Sequence, residues 1–191
     1  MKASPLAVSL LDGSLTVYVR CHRAALIGIE FEAPKGTIMA LYKGGCSCGS
    51  VRFELEGYPA WVLACHCNAC KKRTGSAYGI SVMVDNATVK QFVGETRTYT
   101  RKGDTGSAVH YDFCPKCGTT LRWRVDIVPN RQAFAGGAFD DMNSIKVVAE
   151  MCTDDALPWA RLGCELSRPK ATDEPFRNAM IAKTRSSLLT N

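Results

Sequence analysis

The chain has 191 residues, a formal net charge of +6, a hydrophobic fraction of 46% and a charged fraction of 22%. These values are ordinary for a folded globular domain and exclude a disordered or collagen-like chain. Residues 1–13 do not form a signal peptide pattern, because Ser9 and Asp12 break the apolar run. No stretch approaches the roughly 20 apolar residues of a membrane span. We therefore expect a cytoplasmic protein without a membrane partner.

The pattern divides the chain into an N-terminal extension (1–40), a core domain (41–165) and a C-terminal tail (166–191). Strand-like runs at 15–19 and 26–31 precede a predicted turn at 34–36. Met39 stands just before the core. Two alternatives stay open: residues 1–38 are native structure, or they are a disordered extension upstream of the authentic start.

Short β-like segments punctuated by Gly and Pro fill the core and predict a mainly β fold. Residues 51–56 and 121–125 alternate apolar and charged side chains, which is the period of a half-buried strand. The remaining strands are predicted at 78–84, 88–93, 95–100, 108–113 and 145–151, and a short apolar run at 60–64 leads into the second cysteine cluster.

Two helices are predicted. The first covers 68–74, with Asn68 as its N-cap and Gly75 just beyond its end. The second lies in the tail, where Thr172 or Asp173 caps it, and we expect its polar end to fray.

Seven of the ten cysteines fall into three short clusters, which are Cys46/Cys48, Cys65/Cys67/Cys70 and Cys114/Cys117. Such spacing in a reducing compartment favours metal binding over disulfides or simple burial. Cys114 and Cys117 have the spacing of a zinc knuckle, which provides two ligands and needs another pair. Cys46 and Cys48 can provide that pair, because alternate residues of an extended chain face the same side. We predict a closed, structural zinc site with these four ligands.

The middle cluster provides only three thiols, from Cys65, Cys67 and Cys70. Three protein ligands with an open position are typical of catalytic zinc. The alternative is a fourth ligand from elsewhere in the chain, and the candidates are Cys152, Cys164, His110 or an aspartate. His66 lies between two of the cysteines, and we expect it to support the site rather than bind the metal.

Three motifs, occurring in order, carry a resemblance to a known family. They are GGCSCGSVRF at 44–53, CHCNACKKRTGS at 65–76 and FCPKCGT at 113–119. The chain resembles the glutathione-dependent formaldehyde-activating enzyme family, which also includes centromere protein V. The likeness covers about residues 41–162, including Leu157, Pro158 and Trp159.

The resemblance implies a mainly β, Mss4-like fold stapled by zinc. It implies one zinc at Cys46, Cys48, Cys114 and Cys117, and a second at Cys65, Cys67 and Cys70. The implied activity is that of a carbon–sulfur lyase that joins and releases formaldehyde and glutathione. Open zinc at the second cluster would lower the pKa of a thiol or polarise a carbonyl.

Lys71, Lys72 and Arg73 stand beside the second cluster and could hold the carboxylates of glutathione. The alternative is that these three cations form a solvated helix face.

A different class of function is a non-catalytic zinc module that binds nucleic acid or a protein partner. Arg122, Trp123 and Arg124 could then stack on bases and contact phosphates. Equally, Trp123 could lie in the core with its arginine neighbours in solvent. The scattered cations indicate no basic stripe, and we therefore expect no nucleic-acid partner.

Overall fold

The computed structural model of the protein describes residues 8–11, 14–20, 26–31, 40–171 and 173–189. These residues form fourteen β-strands and two α-helices. The prediction of a mainly β fold is confirmed. The predicted turn at 34–36, Met39 and the Thr172 cap lie outside the described residues.

The first of two compact units is a three-stranded antiparallel sheet. Its strands are β1 (Val8–Leu11), β2 (Ser14–Arg20) and β3 (Leu26–Phe31). The central strand is β2, which pairs with both neighbours. The two strand-like runs of the sequence thus lie in β2 and β3.

The second unit begins at Ala40 and holds the remaining elements. Its strands are β4 (Leu41–Gly45), β5 (Arg52–Glu56), β6 (Trp61–Cys65), β7 (Gly79–Asp85), β8 (Val89–Val93), β9 (Arg97–Lys102), β10 (Ala108–Phe113), β11 (Thr120–Val125), β12 (Arg131–Ala135), β13 (Ala149–Met151) and β14 (Leu166–Arg168). Its helices are α1 (Asn68–Thr74) and α2 (Glu174–Leu189). Neither helix of the described part is both long and apolar enough to cross a membrane.

An eight-stranded sheet in the order β14-β13-β6-β7-β12-β11-β10-β9 forms the frame of this unit. β13 runs parallel to both β14 and β6, whereas the pairs from β6 to β9 are antiparallel. A three-stranded sheet in the order β4-β5-β8 accompanies it. The first two cysteines follow β4, and the middle cluster begins at the last residue of β6, Cys65.

Both faces of the large sheet are covered. One face packs with Phe53 and Leu55 of the small sheet, and the other packs with Met180 of α2. β6 lies between the two cores, and all five of its residues are buried. This explains its unbroken apolar sequence, because a strand covered on both faces does not alternate with polar side chains.

Several boundaries differ from the sequence prediction. β12 was missed, although three of its residues are buried. The last predicted strand shrinks from 145–151 to Ala149–Met151. α2 extends to Leu189 and includes the polar stretch 185–187 that was expected to fray. Its N-terminus is capped by Asp173, whose Oδ1 accepts a hydrogen bond from the Phe176 N–H at 3.0 Å.

The cap of α1 also differs from the prediction. The N-cap is Cys67 rather than Asn68, and its Sγ accepts the Cys70 N–H at 3.4 Å. Gly75 ends the helix with φ 62°, as the sequence predicts. A cysteine at this position therefore serves the helix and the cluster together.

Candidate functional site

The first cluster brings together Cys46, Cys48, Cys114 and Cys117, whose Sγ atoms all lie within 4.8 Å of one another. The Sγ atoms of Cys46 and Cys48 are 3.5 Å apart, and those of Cys48 and Cys114 are 3.8 Å apart. Four thiolates at about 2.3 Å from zinc stand roughly 3.8 Å from one another in a tetrahedron. The spacing fits one metal ion. The nine cysteines of the described residues are free thiols.

Two similar turns shape this cluster. Gly49 follows Cys48 with φ 75°, and Gly118 follows Cys117 with φ 73°. In the first turn the Gly49 N–H donates to the carbonyl of Cys46 at 3.0 Å. In the second turn the Gly118 N–H donates to the carbonyl of Cys114 at 2.9 Å. Only glycine adopts such a φ without steric cost. Each turn therefore folds two thiols toward the same point.

The two thiols of the second turn differ in environment. Cys114 is fully buried, and burial raises its pKa to about 11. Cys117 lies at the surface, and hydrogen bonds with Ser47 and Thr119 lower its pKa to about 5. Cys114 would therefore hold its proton at neutral pH until a metal ion compensates for the buried charge.

The second cluster lies where β6 ends and α1 begins. Cys65 is the last residue of β6, Cys67 caps α1, and Cys70 sits in the first turn of the helix. Their three Sγ atoms lie within 4.8 Å of one another, so a single thiophilic metal ion can reach all three. Hydrogen bonds with Cys152, Cys65 and Cys70 lower the pKa of Cys67. The chemistry of this donor set fits zinc.

Among the candidate fourth ligands, Cys152 and the aspartate Asp104 line the same cavity as this cluster. The Cys152 thiol lies within interaction range of those of Cys65 and Cys67. Cys164 instead lies beside Glu150, to which its backbone N–H donates at 3.0 Å. His110 bonds with Thr100 and Asp126.

His66 turns away from the cysteines and is fully buried. Its Nε2 forms a 2.9 Å hydrogen bond with Glu150, which is also fully buried. Burial raises the pKa of Glu150, but the backbone N–H groups of Leu162 and Cys164, together with His66, outweigh this effect and lower it overall. The pair ties the Cys65–Cys67 segment to the loop that follows Trp159.

The second cluster forms one wall of a cavity of about 150 Å³. Aromatic side chains of Trp61, Tyr111 and Trp123 line it, and Arg101 and Asp104 lie at its margin. The Nε of Arg101 is buried and has no hydrogen-bond partner among the described residues. A mainly apolar pocket with a few cationic groups can hold the reacting end of an anionic thiol.

The three basic residues beside the cluster have different surroundings. Lys71 Nζ donates to the carbonyl of Asp155 at 2.7 Å, and Lys72 is exposed. The guanidinium of Arg73 lies 4.4 Å from the ring centroid of Trp123 and 5.4 Å from that of Tyr111. Arg73 is therefore packed against the aromatic wall of the cavity and is not part of a solvated helix face.

The segment considered for nucleic-acid contact belongs to the core. Trp123 is only 6% exposed. Arg122 pairs with Asp112 at 2.8 Å and covers the ring of Phe92. Arg124 is more exposed and lies 3.6 Å from the same carboxylate. Trp123 is thus not available for base stacking.

Sequence reasoning missed several residues of the cavity, above all Tyr111, Arg101 and Asp104. No motif marks them, because they come from strand β10 and from the end of β9 and the loop after it. Glu150 carried a signal in principle. A glutamate inside a short apolar strand must be buried with partners, and those partners belong to other elements.

The fold and the two cysteine clusters define a mainly β protein with two candidate metal centres. The family described as glutathione-dependent formaldehyde-activating enzyme matches residues 41–155. The chain belongs to this family, as its three motifs predict.

Two further likenesses accompany the family match. An uncharacterized lyase of Schizosaccharomyces pombe is 26% identical over 117 residues, which cover 61% of this chain and 82% of the relative. A crystal structure of a Rhodobacter sphaeroides protein aligns with a TM-score of 0.43 and 20% identity, covering 66% of this chain and 98% of the other.

Proposed function

We propose that the protein is a zinc-dependent carbon–sulfur lyase that acts on the adduct of a thiol, such as glutathione, with a small aldehyde, such as formaldehyde. The observation that carries the proposal is the position of the second cluster. Cys65, Cys67 and Cys70 converge at the wall of a cavity, whereas the thiols of the first cluster lie in two turns that they would hold together. Family membership and the lyase relative support the same class of reaction.

The reaction breaks one carbon–sulfur bond. In the hydroxymethyl adduct, the hydroxyl loses its proton as the carbonyl of the aldehyde forms, and the electron pair of the carbon–sulfur bond goes to sulfur. Bound zinc would supply Lewis acidity and stabilise the leaving thiolate. The sulfur regains a proton on release, and nothing is oxidised or reduced.

The residues of this chain would orient the adduct. Arg101, with its unpartnered Nε, is placed to receive a carboxylate of the thiol. Arg73 is held on the aromatic wall. Burial raises the pKa of Tyr111, and the hydrogen bond and charge of Arg101, followed by the charge of Arg73, oppose this rise. A volume of about 150 Å³ suits the reacting end of the adduct and leaves the remainder of glutathione toward the cavity mouth.

The proposal assigns a structural zinc to Cys46, Cys48, Cys114 and Cys117, and the reactive zinc to Cys65, Cys67 and Cys70. Lys71 is held by Asp155, so among the three basic residues of the α1 motif we assign substrate contact to Lys72 and Arg73 before Lys71.

Magnetisation-exchange NMR tests the proposal. Free formaldehyde hydrate and S-hydroxymethylglutathione give separate signals, and exchange between them should accelerate with enzyme concentration. Cys67→Ser should abolish the acceleration, whereas Cys164→Ser should retain it, because Cys164 lies outside the second cluster. A wild-type protein with two zinc ions per chain and no effect on the exchange would refute the proposal.

A further inference from the structure

The carboxyl end of β13 places Cys152 beside the second cluster. β13 runs parallel to β6, with Met151 opposite Cys65, and the His66 N–H donates to the Met151 carbonyl at 3.0 Å. Neighbouring parallel strands deliver their next residues to the same edge of a sheet. Cys152 therefore emerges where Cys65 and Cys67 do, although it is 85 residues away from Cys67 in sequence (152 minus 67).

The side chain of Cys152 faces the other thiols. It is only 6% exposed and lines the same cavity as Cys65, Cys67 and Cys70. Its thiol lies within interaction range of the thiols of Cys65 and Cys67, although it stands outside the set of three whose Sγ atoms are mutually within 4.8 Å. Three ligands from one segment bind a metal from one side, and Cys152 approaches from a different strand.

We propose that Cys152 supplies a fourth thiolate to the metal at the second cluster. The chain would then use eight cysteines in two four-thiolate centres. The first centre has the four cysteines of the first cluster, and the second has the three cysteines of the second cluster together with Cys152. A full set of four ligands completes the tetrahedron that zinc prefers.

The backbone of Cys152 agrees with this role. Its φ of 57° and ψ of 43° place it in the left-handed region, and it is the only non-glycine residue with positive φ in the described part of the chain. The Cys152 N–H donates to the Lys170 carbonyl at 3.3 Å, and the Cys152 carbonyl accepts the Asp155 N–H at 3.1 Å. Glycine would adopt this conformation more easily, so a cysteine at this position carries a steric cost.

A fourth thiolate has a consequence that rests on the proposed function. With zinc bound, Cys152 would occupy the position that a substrate thiol needs, and a substrate thiol would bind in its place. Cys152 would then be released as a thiol, protonated by the proton that the substrate thiol loses. Atoms and charge balance, and no oxidant or reductant is needed.

Cobalt substitution tests the proposal. Each thiolate–cobalt bond adds to the near-ultraviolet charge-transfer absorption, so wild type with two cobalt ions should show the intensity of eight such bonds. Cys152→Gly should reduce the absorption to the intensity of seven thiolate–cobalt bonds. In chelator competition the affinity of the second site for cobalt should fall by roughly tenfold or more, in line with losses on altering metal-site residues. Glycine suits the positive φ, so this variant should fold. Cys164→Ser, the control, should match wild type in both readouts.

A Cys152→Gly protein with the absorption and second-site affinity of wild type would overturn the proposal. Cys152→Ser provides a second comparison that keeps the residue size, and it should show the same loss. The measurement does not depend on turnover. If the protein is a lyase without the fourth thiolate, the exchange assay is positive and Cys152→Gly leaves the cobalt absorption unchanged. If the second centre has four thiolates but the protein is not a lyase, the cobalt absorption falls and the exchange assay is negative. The two proposals can therefore fail separately.

Discussion

The buried carboxylate of Glu150 offers the sharpest test of how the second cluster is held in place. Oε1 accepts the Cys164 N–H at 3.0 Å; Oε2 accepts the Leu162 N–H at 3.0 Å and bonds His66 Nε2 at 2.9 Å. Glu150→Gln replaces one acceptor oxygen by a donor NH₂ group of nearly the same shape. The substitution therefore tests the hydrogen bonds and the charge without creating a cavity.

The cost can be worked out bond by bond. In its better orientation the new amide keeps Oε2 as an acceptor and turns NH₂ toward the Cys164 N–H. One buried backbone donor is then unsatisfied, at about 1–3 kcal/mol. The hydrogen bonds of Oε2 with the Leu162 N–H and with His66 Nε2 remain, but their acceptor is no longer charged. Hydrogen bonds to charged groups contribute about 1.5–3 kcal/mol to stability and neutral ones about 0.5–1.5 kcal/mol, so each of these two bonds loses about 1 kcal/mol. We predict a loss of about 3–5 kcal/mol in the free energy of unfolding.

Urea unfolding of the zinc-saturated proteins at pH 7 measures this loss. Glu56→Gln is the matched control, because Glu56 pairs with Lys90 at a solvent-exposed site and such pairs contribute about 0–1 kcal/mol. The pKa of Glu150 is lowered, so its stabilisation is present above the ordinary glutamate pKa and is lost as the pH falls through the lowered value. A loss below about 1 kcal/mol for Glu150→Gln at pH 7 would refute the reasoning, since it is smaller than one unsatisfied buried donor.

Three further predictions follow from the two centres. Cys114→Ser should unfold or aggregate the protein, since structural zinc contributes on the order of 10 kcal/mol to folding, whereas Cys67→Ser should retain a cooperative thermal melt; equal melting temperatures would contradict the division of roles. Gly118→Ala should cost about 1–2 kcal/mol in urea unfolding, because φ 73° is strained for alanine although its Cβ would meet no atom within 4 Å. Arg101→Ala should raise KM for the glutathione adduct about tenfold or more at nearly constant kcat, and an unchanged KM would remove Arg101 from the substrate site.

Local pattern was enough to predict the mainly β fold and most of its strands. Alternation identified β5 and β11, and the Gly75 signal placed the end of α1. β12 escaped because its buried run Gln132–Phe134 does not alternate cleanly. The strand predicted over 145–151 was too long, because an apolar run can be buried outside a strand, as Val148 is.

Short spacing keeps the three thiols of the second cluster together, and likewise each pair of the first cluster, whatever the rest of the chain does. The two pairs of the first cluster meet through the fold, and they could be predicted as one site because two thiols alone do not complete a zinc centre. The contributions of Cys152, Glu150 and Arg101 could not be fixed in this way. Each reaches the second cluster through strand pairing or loop packing over long sequence separations. The register of β13 on β6 places Met151 beside Cys65 and brings the next residue, Cys152, to the edge where the cluster lies. The left-handed backbone of Cys152, rather than strand alternation, sets the direction of its side chain.

Anomalous diffraction at the zinc absorption edge, from crystals grown with glutathione, shows whether both clusters hold zinc and whether the second zinc binds a thiol. We expect two peaks per chain, one among Cys46, Cys48, Cys114 and Cys117, and one among Cys65, Cys67 and Cys70. We also expect the sulfur of glutathione to be bonded to the second zinc from the cavity side. A single peak at the first cluster, or two peaks with the glutathione sulfur away from the second peak, would show that the second cluster is not a thiol-binding zinc centre.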